Sequence, residues 1–273
     1  MLKTYQYRVK DASRTRHLSR AARAVNTVWW FCNDTRKAAL KWGRKWPSGF
    51  DLNKLTTGSG KVLGLHSQTV QAVCETYAAR RSEQNRPYLR NRGKKNLGWV
   101  PFKASGIRQD KDRFTYCGRV YKVWYSRPLE GRIRTGSFSQ DAQGHWCINI
   151  TCEVEVAERE IGTRELGIDL GLKEFAAFSD ESIENIEAQR FYRDLEPELA
   201  MAQRAKKKRR AKAVHARIAN RRKDFLHKLS THIVRGYGFI CIGNVNSRQL
   251  AQARMAKSVL DSGWSVFRTM CAY

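Results

Sequence analysis

The sequence has no apolar run long enough to cross a bilayer, which excludes a membrane-spanning helix, and no charged-then-apolar leader at its start. Both absences point to a cytoplasmic protein. It has no Cys-x-x-Cys pair. Its seven cysteines, Cys32, Cys74, Cys117, Cys147, Cys152, Cys241 and Cys271, are scattered and odd in number, so their spacing predicts neither a zinc site nor a disulfide framework. Reduced thiols used for packing are the expectation. The six histidines, His17, His66, His145, His215, His227 and His232, show no paired ligand spacing. A Gly-x-Ser-x-Gly elbow is missing. The string GSGK from Gly58 to Lys61 fails as a phosphate loop, because Val62 stands where Ser or Thr belongs and no strand precedes it. Above all the chain is short of acid: 25 Asp and Glu stand against 52 Lys and Arg, a net charge of +27 over 273 residues.

Self-repulsion on that scale calls for a polyanion. Nucleic acid supplies the counter-charge, and an anionic membrane is the weaker rival. With 41% hydrophobic residues a real core can still form.

The hydrophobic pattern divides the chain into three blocks. Tyr5, Tyr7 and Val9 alternate with Thr4, Gln6 and Arg8, which predicts a short strand over 4–9. From Arg14 to Trp42 the period lengthens: Leu18, Ala21, Val25, Val28, Trp29, Cys32 and Ala39 form one face of an amphipathic helix, with Arg14, Arg16, Arg20, Arg23 and Arg36 on other faces. Pro47-Ser48-Gly49 breaks it. A second helix is predicted over 67–85 with Val70, Val73, Cys74 and Tyr77 inward, followed by a basic loop carrying Arg86, Arg90, Arg92, Lys94 and Lys95. After Pro101 come strands at 112–117, 120–126, 133–139 and 145–156. In the last, Trp146, Ile148, Ile150, Cys152, Val154 and Val156 face one way. This block reads as an antiparallel sheet or small barrel that the first strand joins. The third block starts near Ile161. A buried strand, Leu166 to Leu170, is followed by a hairpin partner, Phe175 to Ser179. A long helix over about 195–236 carries the stripe Val214, Ile218, Phe225, Leu229 and Ile233, and Phe239 to Ile242 make a last strand.

Two segments carry the chemistry. Gln203 to Lys223 holds eleven Lys or Arg and no acid. On a helix such neighbours repel one another, and a polyanion relieves the repulsion while releasing counterions. A solvated face normally mixes signs, which argues against incidental charge. The other segment is GIDLG, Gly167 to Gly171. A carboxylate at the end of a buried strand suits a divalent ion such as Mg²⁺, and two such ions can clamp the attacking and leaving oxygens of a phosphodiester. Asp169 as a turn-former is the plain alternative. ATPases of the actin-like fold start with a similar strand but need further Gly-rich phosphate loops, which are missing. Trp29, Trp30, Trp42, Trp46, Trp99, Trp124 and Trp146 lie among Arg and Lys. Some are placed to stack on bases, and most are expected in the core.

These residues resemble the TnpB/OrfB proteins of insertion sequences, relatives of type V CRISPR effectors. The matching strings are VNTVWWFCN (Val25 to Asn33), ELGIDLGLKEFA (Glu165 to Ala176), ARIANRRKDFLHKLS (Ala216 to Ser230) and AKSVLDSGW (Ala256 to Trp264), in family order. The resemblance implies an α+β, multidomain fold. A wedge-like β-barrel (1–10 with 100–157) is interrupted by a helical recognition insert (11–99), and an incomplete RuvC/RNase H-like α/β domain (158–273) follows. It implies a Mg-dependent nuclease that uses a transposon-derived guide RNA to find target DNA, base pairing reading the sequence and the protein holding the duplex by its backbone.

The match to that pattern is partial. Asp169 corresponds to the first of three catalytic acids and so to a metal ligand. The second is a Glu at the end of the strand matching 239–242, where Gly243 and Asn244 stand. The third lies beyond a four-Cys zinc motif, and both would follow Tyr273, so the chain reads as truncated. Asp261, the last acid in the sequence, is a second candidate ligand, with a structural or helix-capping role the stronger expectation. The expected phosphate contacts are Arg204, Lys206, Lys207, Lys208, Arg209, Arg210, Lys212, Arg217, Arg221 and Arg222. The expected function is binding of guide RNA and DNA with cleavage impaired or lost. The alternatives are an active endonuclease with a rearranged or complemented metal site and a nuclease-dead RNA-guided repressor.

Overall fold

The computed structural model describes residues 1–10, 15–93, 95–155, 163–250, 252 and 255–272, without the side chains of 247 and 248. The expectations on Arg14, Lys94, Val156 and Ile161, and the boundaries at 11 and 157–158, fall outside the described residues. The chain is a mixed α/β protein that divides into two compact units, Met1–Val156 and Ala157–Tyr273.

The first unit begins with β1 (Leu2–Val9), followed by helices α1 (Thr15–Lys41), α2 (Gly49–Leu55), α3 (Ser59–Leu63) and α4 (Ser67–Glu83). Then come β2 (Trp99–Lys103), one 3₁₀ turn (Ala104–Gly106), β3 (Ile107–Asp110), β4 (Arg113–Tyr116), β5 (Arg119–Trp124), β6 (Arg132–Gln140) and β7 (Trp146–Glu153). The seven strands form one antiparallel sheet in the order β2-β6-β7-β1-β5-β4-β3. β1 sits at its centre, paired with β7 from Leu2↔Glu153 to Arg8↔Cys147, so the first strand does join the middle block across the helical stretch.

The two edge strands, β2 and β3, are consecutive in the chain, joined by the three residues Ala104–Gly106. Seven flat strands would hold those edges about 29 Å apart at the usual interstrand spacing. The joining residues reach only about 14 Å even fully extended. The sheet must therefore curl into a partial barrel, its edges tied by covalent chain while no ladder pairs β2 with β3. The expected barrel is in this sense half closed. β2 and β3 had no counterpart in the predicted strands, since a proline marked the start of the block. Pro101 fits because β2 is an edge strand, where a missing N–H costs no ladder bond.

The core of this unit is aromatic. Tyr5, Tyr7, Phe102, Phe114, Tyr116, Tyr121, Phe138 and Trp146 are buried together with Ile148 and Ile150, and Val25, Trp29, Val73 and Tyr77 join them from α1 and α4. The alternation in β1 and β7 and the helical stripes of α1 and α4 thus point inward as their periods require. α1 ends at Lys41, where Gly43 takes φ +59°, ahead of the Pro47 break. Ser48 then starts α2 through a capping box, its hydroxyl accepting from the Asp51 N–H while the Asp51 carboxylate accepts from the Ser48 N–H.

The second unit contains β8 (Glu165–Leu170), β9 (Glu174–Phe178), β10 (Ile186–Glu187), α5 (Phe191–Arg204), α6 (Lys208–Gly236), β11 (Phe239–Ile242), α7 (Ser247–Leu250), α8 (Ala256–Ser262) and α9 (Trp264–Ala272). Its four strands run β10-β9-β8-β11, with β11 parallel to β8 and the others antiparallel. β8 and β11 need a crossover, and α5 and α6 provide it. Leu166, Ile168, Phe175, Leu226, Ile233, Trp264 and Phe267 form the core.

Three expectations are corrected in this unit. β8 is buried on one face only: Leu166, Ile168 and Leu170 point inward while Asp169 is exposed. The predicted single helix over 195–236 is two helices, because the chain turns back at Ala205 to Lys207, where Lys206 adopts φ +53°. Leu195 and Leu199 of α5 pack on Val214 and Ile218 of α6, so the pair is a helical hairpin. The apolar stripe continues through Leu226, Leu229 and Ile233 rather than through Phe225, which is partly buried beside it.

Candidate nucleic-acid interface and carboxylate site

The turn in the crossover places the basic run where charge is most accessible. Arg204 ends α5, Lys206 and Lys207 form the tip, and Lys208, Arg209, Arg210 and Lys212 occupy the first turns of α6, all exposed. α6 has no acid in its first turn to meet its positive N-terminus, so the cations there compound the repulsion instead of relieving it. Glu198 on α5 is the hairpin's internal counter-charge. It holds Arg217 at 3.0 Å and Arg210 at 3.7 Å. Arg204, Lys206, Lys207, Lys208, Arg209, Lys212 and Arg221 make no ion pair among the described residues. Seven of the ten expected phosphate contacts are therefore free cations. Arg210 and Arg217 are partly neutralised.

Arg222 stands apart from these. Its Nη2 donates to Asp261 Oδ1 at 2.6 Å in a pair whose side chains are 25% and 6% exposed. The other oxygen, Oδ2, accepts from the Tyr192 N–H at 2.7 Å, in the first turn of α5, where the preceding Arg190 offers no side-chain cap. Asp261 thus caps α5 from α8 and anchors α6 through Arg222. Both of its oxygens are engaged within the fold, which fits the helix-capping role.

Asp169 is the opposite case. It lies next to the last residue of β8, opposite Ala177 of β9, and its side chain has no hydrogen bond or ion pair among the described residues. β11 runs parallel with Ile242 opposite Ile168, which brings Gly243 level with Asp169, and the Gly243 N–H donates to the Ile168 carbonyl at 2.8 Å. A Cβ at Gly243 would stand 3.2 Å from Asp169 Oδ1. Gly243, where the resemblance implies a second carboxylate, therefore stands beside Asp169 and has no side chain. The Oδ1 of the next residue, Asn244, accepts from Arg268 Nη1 at 3.1 Å. Among the described residues no group of three or more His, Cys, Asp or Glu gathers as a metal site would require. One carboxylate, a glycine and an amide already engaged by an arginine do not fit a pair of Mg²⁺ ions.

Sequence reasoning missed a third cluster, in the first unit. Arg36 was assigned to a polar face of α1, yet it is fully buried, and Trp46 covers it with the guanidinium carbon 3.3 Å from the ring centroid. The signal lies in the spacing: Arg36 falls four residues after Cys32 and three before Ala39, on the apolar stripe. Arg81 lies over the same ring at 4.5 Å. Burial, and then the Arg81 charge, lower the Arg36 pKa. Of the tryptophans expected mostly in the core, Trp29 and Trp146 are buried and Trp99 is half-buried, while Trp30, Trp42, Trp46 and Trp124 are exposed.

The OrfB_IS605 family model, described as "Probable transposase", matches residues 149–254. A Streptomyces pristinaespiralis protein named "Putative RNA-guided DNA endonuclease" is 29% identical over 244 residues, covering 84% of this chain and 60% of that protein. The Escherichia coli (strain K12) protein "Putative RNA-guided DNA endonuclease InsQ" is 27% identical over 177 residues, 54% of this chain and 43% of its own length. The chain thus spans 60% or less of the curated relatives it matches. Among solved structures, a chain of the Cas12f1-sgRNA-target DNA complex superposes with a TM-score of 0.54 at 7% identity, covering 97% of this chain and 87% of that one, a likeness of fold. No helix among the described residues is long and apolar enough to cross a membrane.

Proposed function

We propose that this chain, a relative of the TnpB/OrfB proteins of insertion sequences, binds guide RNA and target DNA through their phosphate backbones, with DNA cleavage impaired or lost. In this reading the curled sheet of the first unit is the wedge, the helices between β1 and β2 are the recognition insert, and the second unit is the RuvC-like domain. The observation that carries the binding half is the helical hairpin, with seven exposed cations unpaired among the described residues, six of them at or near its tip. The observation that carries the other half is Gly243, level with Asp169 and without a carboxylate. Mg²⁺ is the family's ion, and the residues present do not fit the pair that phosphodiester cleavage uses.

Affinity for a guide-RNA-like oligonucleotide should fall steeply with salt. Replacing Lys206, Lys207, Lys208 and Arg209 with Ala should lower the log–log salt slope by about 3 and weaken binding about a hundredfold at low salt. A flat salt response would sink the reading. Mg²⁺-dependent cutting of a matched target that Asp169→Ala abolishes would favour the active alternative, with the missing carboxylates supplied from elsewhere. Binding without cutting, coupled to repression of a matched promoter, would favour the RNA-guided repressor.

A further inference from the structure

The first unit contains a buried guanidinium without a hydrogen-bond partner among the described residues. Arg36 is 0% exposed, and its Nε, Nη1 and Nη2 have no hydrogen-bond partner. Arg81, beside it, also has an unpartnered Nε. Neither makes an ion pair among the described residues. Arg92 shows what an ordinary half-buried guanidinium does in the same unit: it too lies over indole rings, those of Trp29 and Trp99, yet it donates from Nε to Asn26 Oδ1 at 3.1 Å and from Nη2 to the Leu97 carbonyl at 3.0 Å.

A buried charge without acceptors is strongly unfavourable, and stacking on one ring does not replace five N–H bonds. Such a group persists in a folded protein where something outside the fold satisfies it. The missing partner is an oxyanion, because two adjacent guanidinia have no acid between them and their forked donors match phosphate. The cover indicates what the phosphate is attached to. Trp46 is 39% exposed, belongs to the irregular segment between α1 and α2, and overlies both arginines. A ring so placed can move off Arg36 and offer its face to a base.

We propose that Arg36, Arg81 and Trp46 form a nucleotide site distinct in the chain from the basic hairpin: Trp46 swings off Arg36 to stack on a base, and the two guanidinia take the adjoining phosphodiester. It rests on the nucleic-acid reading above and adds a claim of its own, that the free protein stores an unpaired charge which the ligand releases. Stability and affinity must then move in opposite directions. A structural arginine would move both the same way.

The test is Arg36→Met in the full chain. Its melting temperature without ligand should rise by several degrees, since methionine fills the space without a charge. Its affinity for a single-stranded 12-mer oligothymidylate should fall about tenfold. Inorganic pyrophosphate should raise the melting temperature of the wild type by more than that of Arg36→Met, which keeps only the hairpin cations. A lower melting temperature, or unchanged oligonucleotide affinity, overturns the proposal. Should Arg36→Met not fold, Trp46→Ala decides: pyrophosphate should still stabilise it, while the oligonucleotide binds about tenfold more weakly, and equal oligonucleotide binding overturns the proposal. If the wild type binds oligonucleotides with a steep salt dependence that both variants share at full affinity, this site fails and the hairpin reading stands. If the wild type binds no oligonucleotide at all, the nucleic-acid reading fails, this site as a nucleotide site fails with it, and the pyrophosphate response shows whether an oxyanion site remains.

Discussion

The end of β8 and the end of α8 each present an aspartate from a family-like string, and the two surroundings are opposite. Asp261 is buried and gives one oxygen to Arg222 and the other to the Tyr192 N–H. Asp169 is exposed, has no side-chain partner among the described residues and stands beside a glycine. A motif locates a carboxylate while its neighbours decide its use: engaged lone pairs build structure, and free ones at a strand end are available to an ion. The comparison breaks most sharply at Asp261. Asp261→Ala strands the Arg222 charge and uncaps α5, and should cost the second unit about 3–5 kcal/mol. Hydrogen exchange in α5 and α6 would show it as lost protection, while β1 and β7 of the first unit exchange as before. Unchanged exchange would mean the pair is incidental.

Gly243 offers a way to sharpen the contrast. Gly243→Glu puts a second carboxylate level with Asp169, and the 3.2 Å approach of its Cβ to Oδ1 is eased by a small shift of an exposed, unpartnered side chain. The variant should bind Mg²⁺ at least about tenfold more tightly than the parent chain, a gain of about 1.4 kcal/mol, measured by calorimetry. Asp169→Ala in the same background should cancel the gain. Equal Mg²⁺ binding by the variant and its parent would place the two backbones wrongly for a shared ion.

A smaller effect is expected at the hairpin tip. Lys206 holds φ +53°, a conformation that favours glycine. Lys206→Gly should stabilise the second unit by up to about 1 kcal/mol, read from thermal melting. It should also weaken oligonucleotide binding about twofold as one phosphate contact is lost. A destabilised glycine variant would show that the lysine side chain itself holds the turn.

Much of this was legible in the sequence because it depends on period. Tyr5, Tyr7 and Val9, the Trp146 to Cys152 alternation and the α4 stripe each have a repeat that fixes the buried face. The parts that were not legible depend on events at single residues. The helix break at Ala205 to Lys207 carries no proline or glycine, so nothing in the pattern marks it; it follows from Leu195 and Leu199 packing back on Val214 and Ile218. Burial of Arg36 contradicts the residue's polarity and is visible only once Trp46 covers it. β2 and β3 were missed because one contains Pro101 and the other alternates over only four residues. At the carboxylate site the sequence singles out Asp169, Gly243 and Asn244, and the parallel register of β8 with β11 was needed to show that Gly243 is the one level with Asp169.

The smallest expected effect tests the comparison from the other side. Asp169→Asn removes a charge that no hydrogen bond, ion pair or burial holds in place among the described residues, and asparagine keeps the shape. Its folding free energy should lie within about 0.5 kcal/mol of the parent chain, as for surface positions free of specific partners. Urea denaturation of the two chains side by side measures this. A loss beyond about 1 kcal/mol would mean that the carboxylate is held by a partner and is, like Asp261, part of the framework. A gain of that size would mean that the charge is strained in the free protein, which is how a ligand-binding carboxylate behaves before its ion arrives. Only the loss would make Asp169 structural as well; the near-zero result and the gain both leave it as an available ligand that lacks its neighbour.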